Sequence, residues 1–508
     1  MTRLSRLLAL TAVAACATSP RPIALPPAPV AASQPAVPTP ADQRAALRQS
    51  IDSAVSAPQF ANAFWGILIV DPASGDTLYS HNAGKLFMPA SNQKIITGAT
   101  ALAQLGADYT YRTTFATRGS VRDSTLRGDL VVVGRGDPTI SDHMRKDAME
   151  PLRALADSLR AHGISRIRGH VVAAGDAFAG PVLGYGWDWD DLDYGYGAGV
   201  DELLFNEGFT LVKAYAGDKP GAPIRITTRP TTRGPKVRVT ALTVAAPADS
   251  GAKKPSLVFR YDSLSGGVLV EGSIAVGDSA DEEVAHRVPK QAYLDALAEA
   301  LGDRGVKIEA AKTDTAARVD TLFRLVSPPL REILPALEKP SQNQIAEVLF
   351  RTLALEKTGV GTTDSARKVI ERQLAAWGAT PEGAAVRDGS GLSRHDYVSP
   401  ETLVRVLAAI RSDSAFQVFY DALPIAGVDG TLERRMRGTP AEGNVHAKTG
   451  SVDKARSLSG YATTADGHLV IFSALCNNWT VPVRQVEAVQ DMIGARLAAM
   501  TLGTPATH

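Results

Sequence analysis

The apolar residues of this chain fall into three regimes. A helical spacing runs from Ala41 to Val55, and the near-continuous apolar run Phe64 to Val70 (FWGILIV) predicts a strand. Pro72-Ala73-Ser74-Gly75-Asp76 supplies a turn, and Thr77 to Ser80 returns as the second arm of a hairpin. After Pro89 the period becomes helical, from about Ser91 through Leu105. There Ile95, Ile96, Ala99, Leu102 and Leu105 share a face, and Gly106 ends the element. From about Gly119 to Asp320 the pattern breaks into short strands and Gly/Pro/Asp turns (GDLVVVGRGDPT, RIRGHVVAAGDAF, SLVFRYDSLSGGVLVEG), which predicts mostly β modules. Helical spacing resumes at Leu330 to Leu337, Asn343 to Lys357, Thr363 to Trp377 and Pro400 to Ala409. Strands follow at Val445 to Thr449, Leu458 to Thr464 and His468 to Cys476, with Asp466-Gly467 as a turn, then a helix from Val483 to Met500. Two early strands and three late ones complete one antiparallel sheet only if the middle of the chain is an insertion.

Composition narrows the picture without fixing a function. The 508 residues are 44% hydrophobic and 21% charged, with a formal charge of +1, which is ordinary globular composition. Dense Lys/Arg runs with interleaved aromatics are missing, so no nucleic-acid partner is expected. The two cysteines, Cys16 and Cys476, have no metal-ligand spacing, and neither metal nor cofactor is expected. Cys476 sits in LVIFSALCNN and reads as a buried free thiol. At the start of the chain, Arg3 and Arg6 precede a short apolar stretch and small residues, the layout of a secretory signal too short for a stable membrane anchor. Val13-Ala14-Ala15-Cys16 is similar to a bacterial lipobox, with Cys16 as the lipidated residue; cleavage at a nearby Ala-x-Ala site is the other reading, and both place the mature chain outside the cytoplasm. The expected organisation is a signal peptide of lipoprotein type over 1–16, a Pro/Ala-rich linker over 17–41, a discontinuous catalytic domain over 42–118 and 322–508, and inserted β-rich domains over 119–321 with a nested module around 209–285.

Three short strings carry candidate chemistry: Ser91-Asn92-Gln93-Lys94, Ser341-Gln342-Asn343 and Lys448-Thr449-Gly450. A Ser and a Lys at i and i+3 of a helix project from one face, so the amine reaches the hydroxyl. A desolvated Lys beside other cationic character loses its proton more readily and can serve as the base for Ser91. Ser341 can relay that proton, and the Asn343 amide can orient Lys94 and hold a peptide carbonyl. Lys448 and Thr449 suit a terminal carboxylate, Gly450 leaves room for a substrate along the strand, and the backbone N–H groups of Ser91 and Ser451 suit an oxyanion. Each string alone is common. Ser250 to Lys253, Ser365 to Lys368 and Ser451 to Lys454 repeat the first, but none opens an apolar helix after a hairpin. Lys357-Thr358-Gly359 repeats the third, but Gly359 reads as a helix cap.

Longer strings surround the trio: MPASNQKIITGATAL, GDLVVVGRGDPTIS, GWDWDDLDYGYGAGVDELLFNEG, KPSQNQIAEVLF, RDGSGLSRHDYVSP and LPIAGVDGTLERRM. With them the chain, from about Ala63 to Met500, resembles the D-alanyl-D-alanine carboxypeptidase/endopeptidase family, the low-molecular-mass class C penicillin-binding proteins. The resemblance implies an α/β (α+β) fold of the penicillin-binding/serine β-lactamase-like transpeptidase type, with a five-stranded antiparallel sheet flanked by helices and interrupted by a large β-rich insertion. It implies hydrolysis of the D-Ala-D-Ala bond of peptidoglycan stem peptides, cleavage of D-Ala cross-links, and covalent inhibition by β-lactam antibiotics. It also marks Trp187, Asp190, Leu392 and Arg394 as contacts for the peptide side chain. The residues themselves leave two plainer readings open: Asp388-Gly389-Ser390-Gly391 as a tight turn, and Trp187, Trp189, Tyr194 and Tyr196 as a packed aromatic loop. The family often carries Asp at the position of Gln342, and this residue predicts nothing about catalysis. Two alternatives of other kinds remain: a serine β-lactamase, for which no deacylating Glu can be assigned, and a catalytically silent peptidoglycan-binding lipoprotein, against which the intact acid/base set argues.

Overall fold

The computed structural model describes residues 39–247, 254–262 and 264–503. Cys16, the signal segment, nearly all of the linker and the Ser250 to Lys253 string lie outside these residues. Five strands build one antiparallel sheet: β1 (Phe64–Val70), β2 (Thr77–His81), β3 (His446–Val452), β4 (Ala455–Thr463) and β5 (Leu469–Asn477), in the order β3-β4-β5-β1-β2. This is the sheet expected from joining the two ends of the chain. The apolar run of β1 has a simple cause. Its side chains alternate between faces, with Ile67 and Ile69 in the core on one side and Leu68 in the core on the other.

Helices cover both faces. The helix α1 (Pro40–Val55) contributes Leu47 and Ile51 to the side of Ile67. On the opposite side stand α2 (Gln93–Leu105), α3 (Leu330–Glu338), α4 (Asn343–Thr358), α5 (Thr363–Ala376) and α6 (Pro400–Arg411). The last helix, α7 (Val483–Ala499), returns Ile493 and Leu497 to the α1 face. Helix ends obey local chemistry: Thr362 and Ser399 cap α5 and α6 through their hydroxyls, and Gly359, at φ 79°, caps the C-terminus of α4, as its Lys357-Thr358-Gly359 context predicts. Cys476 is buried and free, and burial raises its thiol pKa strongly.

Between β2 and β3 the chain also forms a six-stranded sheet that starts with Arg112–Arg122 and Thr125–Val133 and closes with Val319–Val326 paired to Arg112–Arg122. Its first and last strands therefore reach outside the 119–321 span. The stretch is β-rich, as expected, and it also holds helices that the turn pattern did not predict. Met149–Ala161 and Pro289–Asp303 are helices whose Leu152, Leu155, Leu159, Leu297 and Leu301 pack on Phe115, Leu130 and Val132. Both show an i, i+3, i+4 apolar rhythm that the flanking Gly and Pro turns obscured. A smaller two-sheet unit begins and ends with a direct pair, Phe209 opposite Ala285, and has its own core of Val212, Ala214, Phe259, Val268, Val270 and Val284.

Candidate active site

Ser91 lies in a 3-10 turn, Ala90–Asn92, that feeds directly into α2. Ala90 holds a φ of 47°, so the turn is bent into a conformation that side chains disfavour. Within this geometry Lys94, one turn on, donates to Ser91 Oγ at 2.8 Å, to Asn343 Oδ1 at 2.6 Å and to the Ser390 carbonyl at 2.8 Å. Lys94 is completely buried. Desolvation, reinforced by the nearby Lys448 charge and opposed by Glu338, Asp388 and Glu347, lowers its pKa to about 7. A pKa lowered this far makes the neutral amine, able to accept the Ser91 proton, accessible near neutral pH.

The second string occupies the bend between α3 and α4. Ser341 takes a φ of 68°, and its hydroxyl forms no hydrogen bond among the described residues. Gln342 is the N-cap of α4: its Oε1 accepts from Gln344 N at 2.7 Å, and its Nε2 donates to Glu207 Oε2 at 2.7 Å. The residue that predicted nothing from sequence is a structural clasp. Asn343 donates through Nδ2 to the Tyr196 carbonyl at 2.8 Å, which leaves Oδ1 for Lys94.

Edge strand β3 carries the third string. Asn92 Nδ2 donates to the Lys448 carbonyl at 2.8 Å, and Ser457 Oγ donates to the Pro89 carbonyl at 2.6 Å, so β3, β4 and the Ser91 turn are laced together. Gly450 fits this contact: a methyl there would lie 2.0 Å from Ser457 Oγ, 2.5 Å from the Pro89 carbonyl oxygen and 3.1 Å from Ser91 N. The room expected for a substrate is taken by the turn that bears Ser91. The Lys448 amine is fully buried, donates to the Thr449 carbonyl at 3.1 Å, and has its pKa lowered by desolvation with Glu338 opposing. Thr449 Oγ1 donates to Thr431 Oγ1 at 2.7 Å.

A cleft of about 810 Å³ opens onto these groups. Ser91, Ser341, Asn343, Thr449 and Ser451 line it together with Asp190, Leu392 and Arg394. Trp187 is not in the lining; its indole donates to Asp388 Oδ2 at 2.9 Å and braces the loop behind the site. The aromatic stretch is not uniformly packed, since Tyr194 and Tyr196 stack at 5.6 Å while Trp189 is 84% exposed. Asp388 to Gly391 is a tight turn, with Asp388 accepting from Gly391 N at 2.7 Å and Ser393 N at 2.7 Å, and it also aims the Ser390 carbonyl at Lys94. Glu347 holds that turn by accepting from Gly389 N at 2.9 Å and Ser390 N at 2.8 Å. Sequence reasoning missed Glu347 and Glu338, and it named Ser390 and Tyr196 only as parts of a turn and an aromatic loop, not as carbonyl partners of Lys94 and Asn343. For the two carboxylates a signal existed: each is an acidic residue within an otherwise buried helical stretch, KPSQNQIAEVLF and LPALEKP.

A hydroxyl beside a buried amine of lowered pKa, under an open cleft and against an edge strand, is the arrangement of a serine acyl-transfer enzyme. Known proteins agree. Residues 47–499 match the D-Ala-D-Ala carboxypeptidase 3 (S13) family. A D-alanyl-D-alanine carboxypeptidase of Actinomadura sp. (strain R39) is 33% identical over 470 residues, covering 89% of this chain and 84% of the relative. The carboxypeptidase DacB of Haemophilus influenzae is 24% identical over 440 residues, covering 79% of this chain and 82% of its own length. The crystal structure of penicillin binding protein 4 from Haemophilus influenzae shares the fold with a TM-score of 0.74 at 24% identity, covering 90% of this chain and 99% of that one. The chain belongs to the D-Ala-D-Ala carboxypeptidase 3 (S13) family and is a serine-type enzyme of that family, as its motifs led us to expect.

Proposed function

We propose that Ser91 is the nucleophile of a D-Ala-D-Ala carboxypeptidase and D,D-endopeptidase that acts on peptidoglycan stem peptides in the cell envelope. One observation carries the reading: Lys94 Nζ lies 2.8 Å from Ser91 Oγ while Asn343 and the Ser390 carbonyl fix the same amine. Neutral Lys94 takes the hydroxyl proton as Ser91 Oγ attacks the penultimate D-Ala carbonyl. The backbone N–H groups of Ser91 and Ser451 receive the oxyanion, and Thr449, which lines the cleft, holds the terminal carboxylate with the positive charge of the buried Lys448 behind it. Ser341, with its uncommitted hydroxyl, passes the proton to the leaving amine. Water then cleaves the acyl-enzyme with the help of the same Lys94 and Ser341. Asp190, Leu392 and Arg394, which line the cleft, meet the peptide side chain, and Trp187 supports them from behind through Asp388.

The same site chemistry accepts β-lactams as covalent inhibitors. Purified enzyme should bind fluorescent penicillin stoichiometrically, and Ser91→Ala should lose all labelling while keeping its circular dichroism spectrum; labelling at another residue would refute the assignment. Nitrocefin should give one burst, with sustained turnover pointing instead to a β-lactamase. Digestion of cross-linked muropeptides followed by mass analysis distinguishes loss of one D-Ala from splitting of dimers. Anchoring belongs to this proposal too: Cys16 is lipidated and residues 17–41 tether the catalytic body, with 119–321 inserted into it. Among the described residues no helix is long and apolar enough to cross a membrane. Membrane fractionation of Cys16→Ala should move the protein to the soluble fraction, and unchanged sedimentation with membranes would count against lipidation.

A further inference from the structure

Asn343 serves Lys94 only one way round. Its Oδ1 accepts from the amine at 2.6 Å, and its Nδ2 donates to the Tyr196 carbonyl at 2.8 Å. Turned end for end, the amide would aim N–H donors at an amine that is itself a donor. The oxygen and the NH2 group are nearly the same size, so packing alone does not choose between the two poses. The Tyr196 carbonyl does. Its own place depends on the next residue of α4. Gln344 is fully buried, and its Nε2 lies 3.0 Å from the Gly195 carbonyl oxygen, 3.2 Å from that of Tyr196 and 3.0 Å from that of Ala198. Two N–H groups are thus shared among three acceptors. The Oε1 of the same amide is buried with no hydrogen-bond partner among the described residues, a cost that an apolar side chain of equal size would not carry. The loop also rests on the Phe209–Ala285 unit: the Ala285 N–H donates to the Asp193 carbonyl at 3.0 Å, and a methyl on Gly195 would lie 2.6 Å from Glu283 Cβ.

We propose, resting on the Ser91 reading, that Gln344 is a positioning residue for acylation. By gripping the Gly195–Ala198 turn, it holds the Tyr196 carbonyl where the Asn343 amide must keep its oxygen on Lys94. Four hydrogen bonds of 3.2, 2.8, 2.6 and 2.8 Å join Gln344 to Ser91 Oγ, through the Tyr196 carbonyl, Asn343 and Lys94. A loop distant in sequence from all three motifs therefore supplies a backbone group that the base depends on, and Gln344 ties that loop to the helix that carries Asn343.

The test is a double-mutant cycle on the single-turnover rate of penicillin acylation, with thermal melts of the same samples. Gln344→Met keeps the volume and removes the donors, and acylation should slow about tenfold, the scale of one hydrogen bond to a charged group. Because the effect passes through Asn343, adding Gln344→Met to Asn343→Ala should slow acylation no further. A merely structural role would instead multiply the two factors, as independent sites do. Gln344→Asn, which keeps the amide but withdraws it by one methylene, should fall between wild type and Gln344→Met, and it carries the same cycle if Gln344→Met does not fold. A wild-type rate in every folded variant, or factors that multiply in the cycle, overturns the assignment. Mapping of the penicillin label to Ser91 in wild type reports separately on the proposed function, so the two ideas fail by different readouts.

Discussion

Lys94 shows how much chemistry one buried side chain can hold. In water its amine would be almost fully charged at neutral pH; sealed under the cleft, with Lys448 nearby, its pKa lies near 7. Acylation that requires the neutral amine should therefore reach its plateau above pH 7 and fall about tenfold per pH unit well below it. Stopped-flow measurement of penicillin acylation between pH 5 and 9 checks this, and a flat profile would remove Lys94 from the role of base. The three acceptors around Lys94 are equally specific. Asn343→Ala removes the shortest of them and should slow acylation by roughly tenfold to a hundredfold, since a hydrogen bond to a charged or reacting group contributes about 1.5–3 kcal/mol. Single-turnover kinetics would read that loss directly.

At the level of elements, the site depends on how closely β3 lies against the Ser91 turn. Gly450→Ala would push a methyl into the Pro89 carbonyl and Ser457 Oγ. Overpacking of this kind costs about 1–3 kcal/mol of stability, and because the displaced group carries the nucleophile, acylation should suffer by a larger factor than stability alone predicts. Thermal melts and penicillin labelling of the same sample separate the two effects; full-rate labelling would show that the contact is slack. The α3–α4 bend makes a milder prediction. Gln342→Ala removes the α4 cap and the bond to Glu207, and should lower stability by about 1 kcal/mol while leaving Ser91 reactive. Helix periodicity was legible in most of these elements. The helices Met149–Ala161 and Pro289–Asp303 were overlooked because turn residues on either side outweighed a clear 3–4 apolar rhythm.

On the scale of the whole molecule, the unit from Phe209 to Ala285 leaves and re-enters through one antiparallel pair and buries its own small core. Replacing residues 210–284 by a short Gly/Ser turn should therefore give a folded enzyme that still binds penicillin at Ser91. Failure to fold would show that this unit stabilises the catalytic body. What the sequence determined by itself is local: the Ser91 and Lys94 spacing on one helix, the period-2 and period-3.6 runs that define sheet and helices, and the capping role of Gly359. These follow from geometry within a few residues, and so a linear pattern reveals them. Tertiary structure alone decided the rest. Lys94 meets Asn343 across 249 residues and the Ser390 carbonyl across 296, and Asn92 meets the Lys448 carbonyl across 356. Glu338 and Glu347 are unremarkable acidic residues until folding strips water from them and brings their charges to bear on Lys94. Desolvation and proximity are properties of the packed interior, and no local pattern in the chain records them.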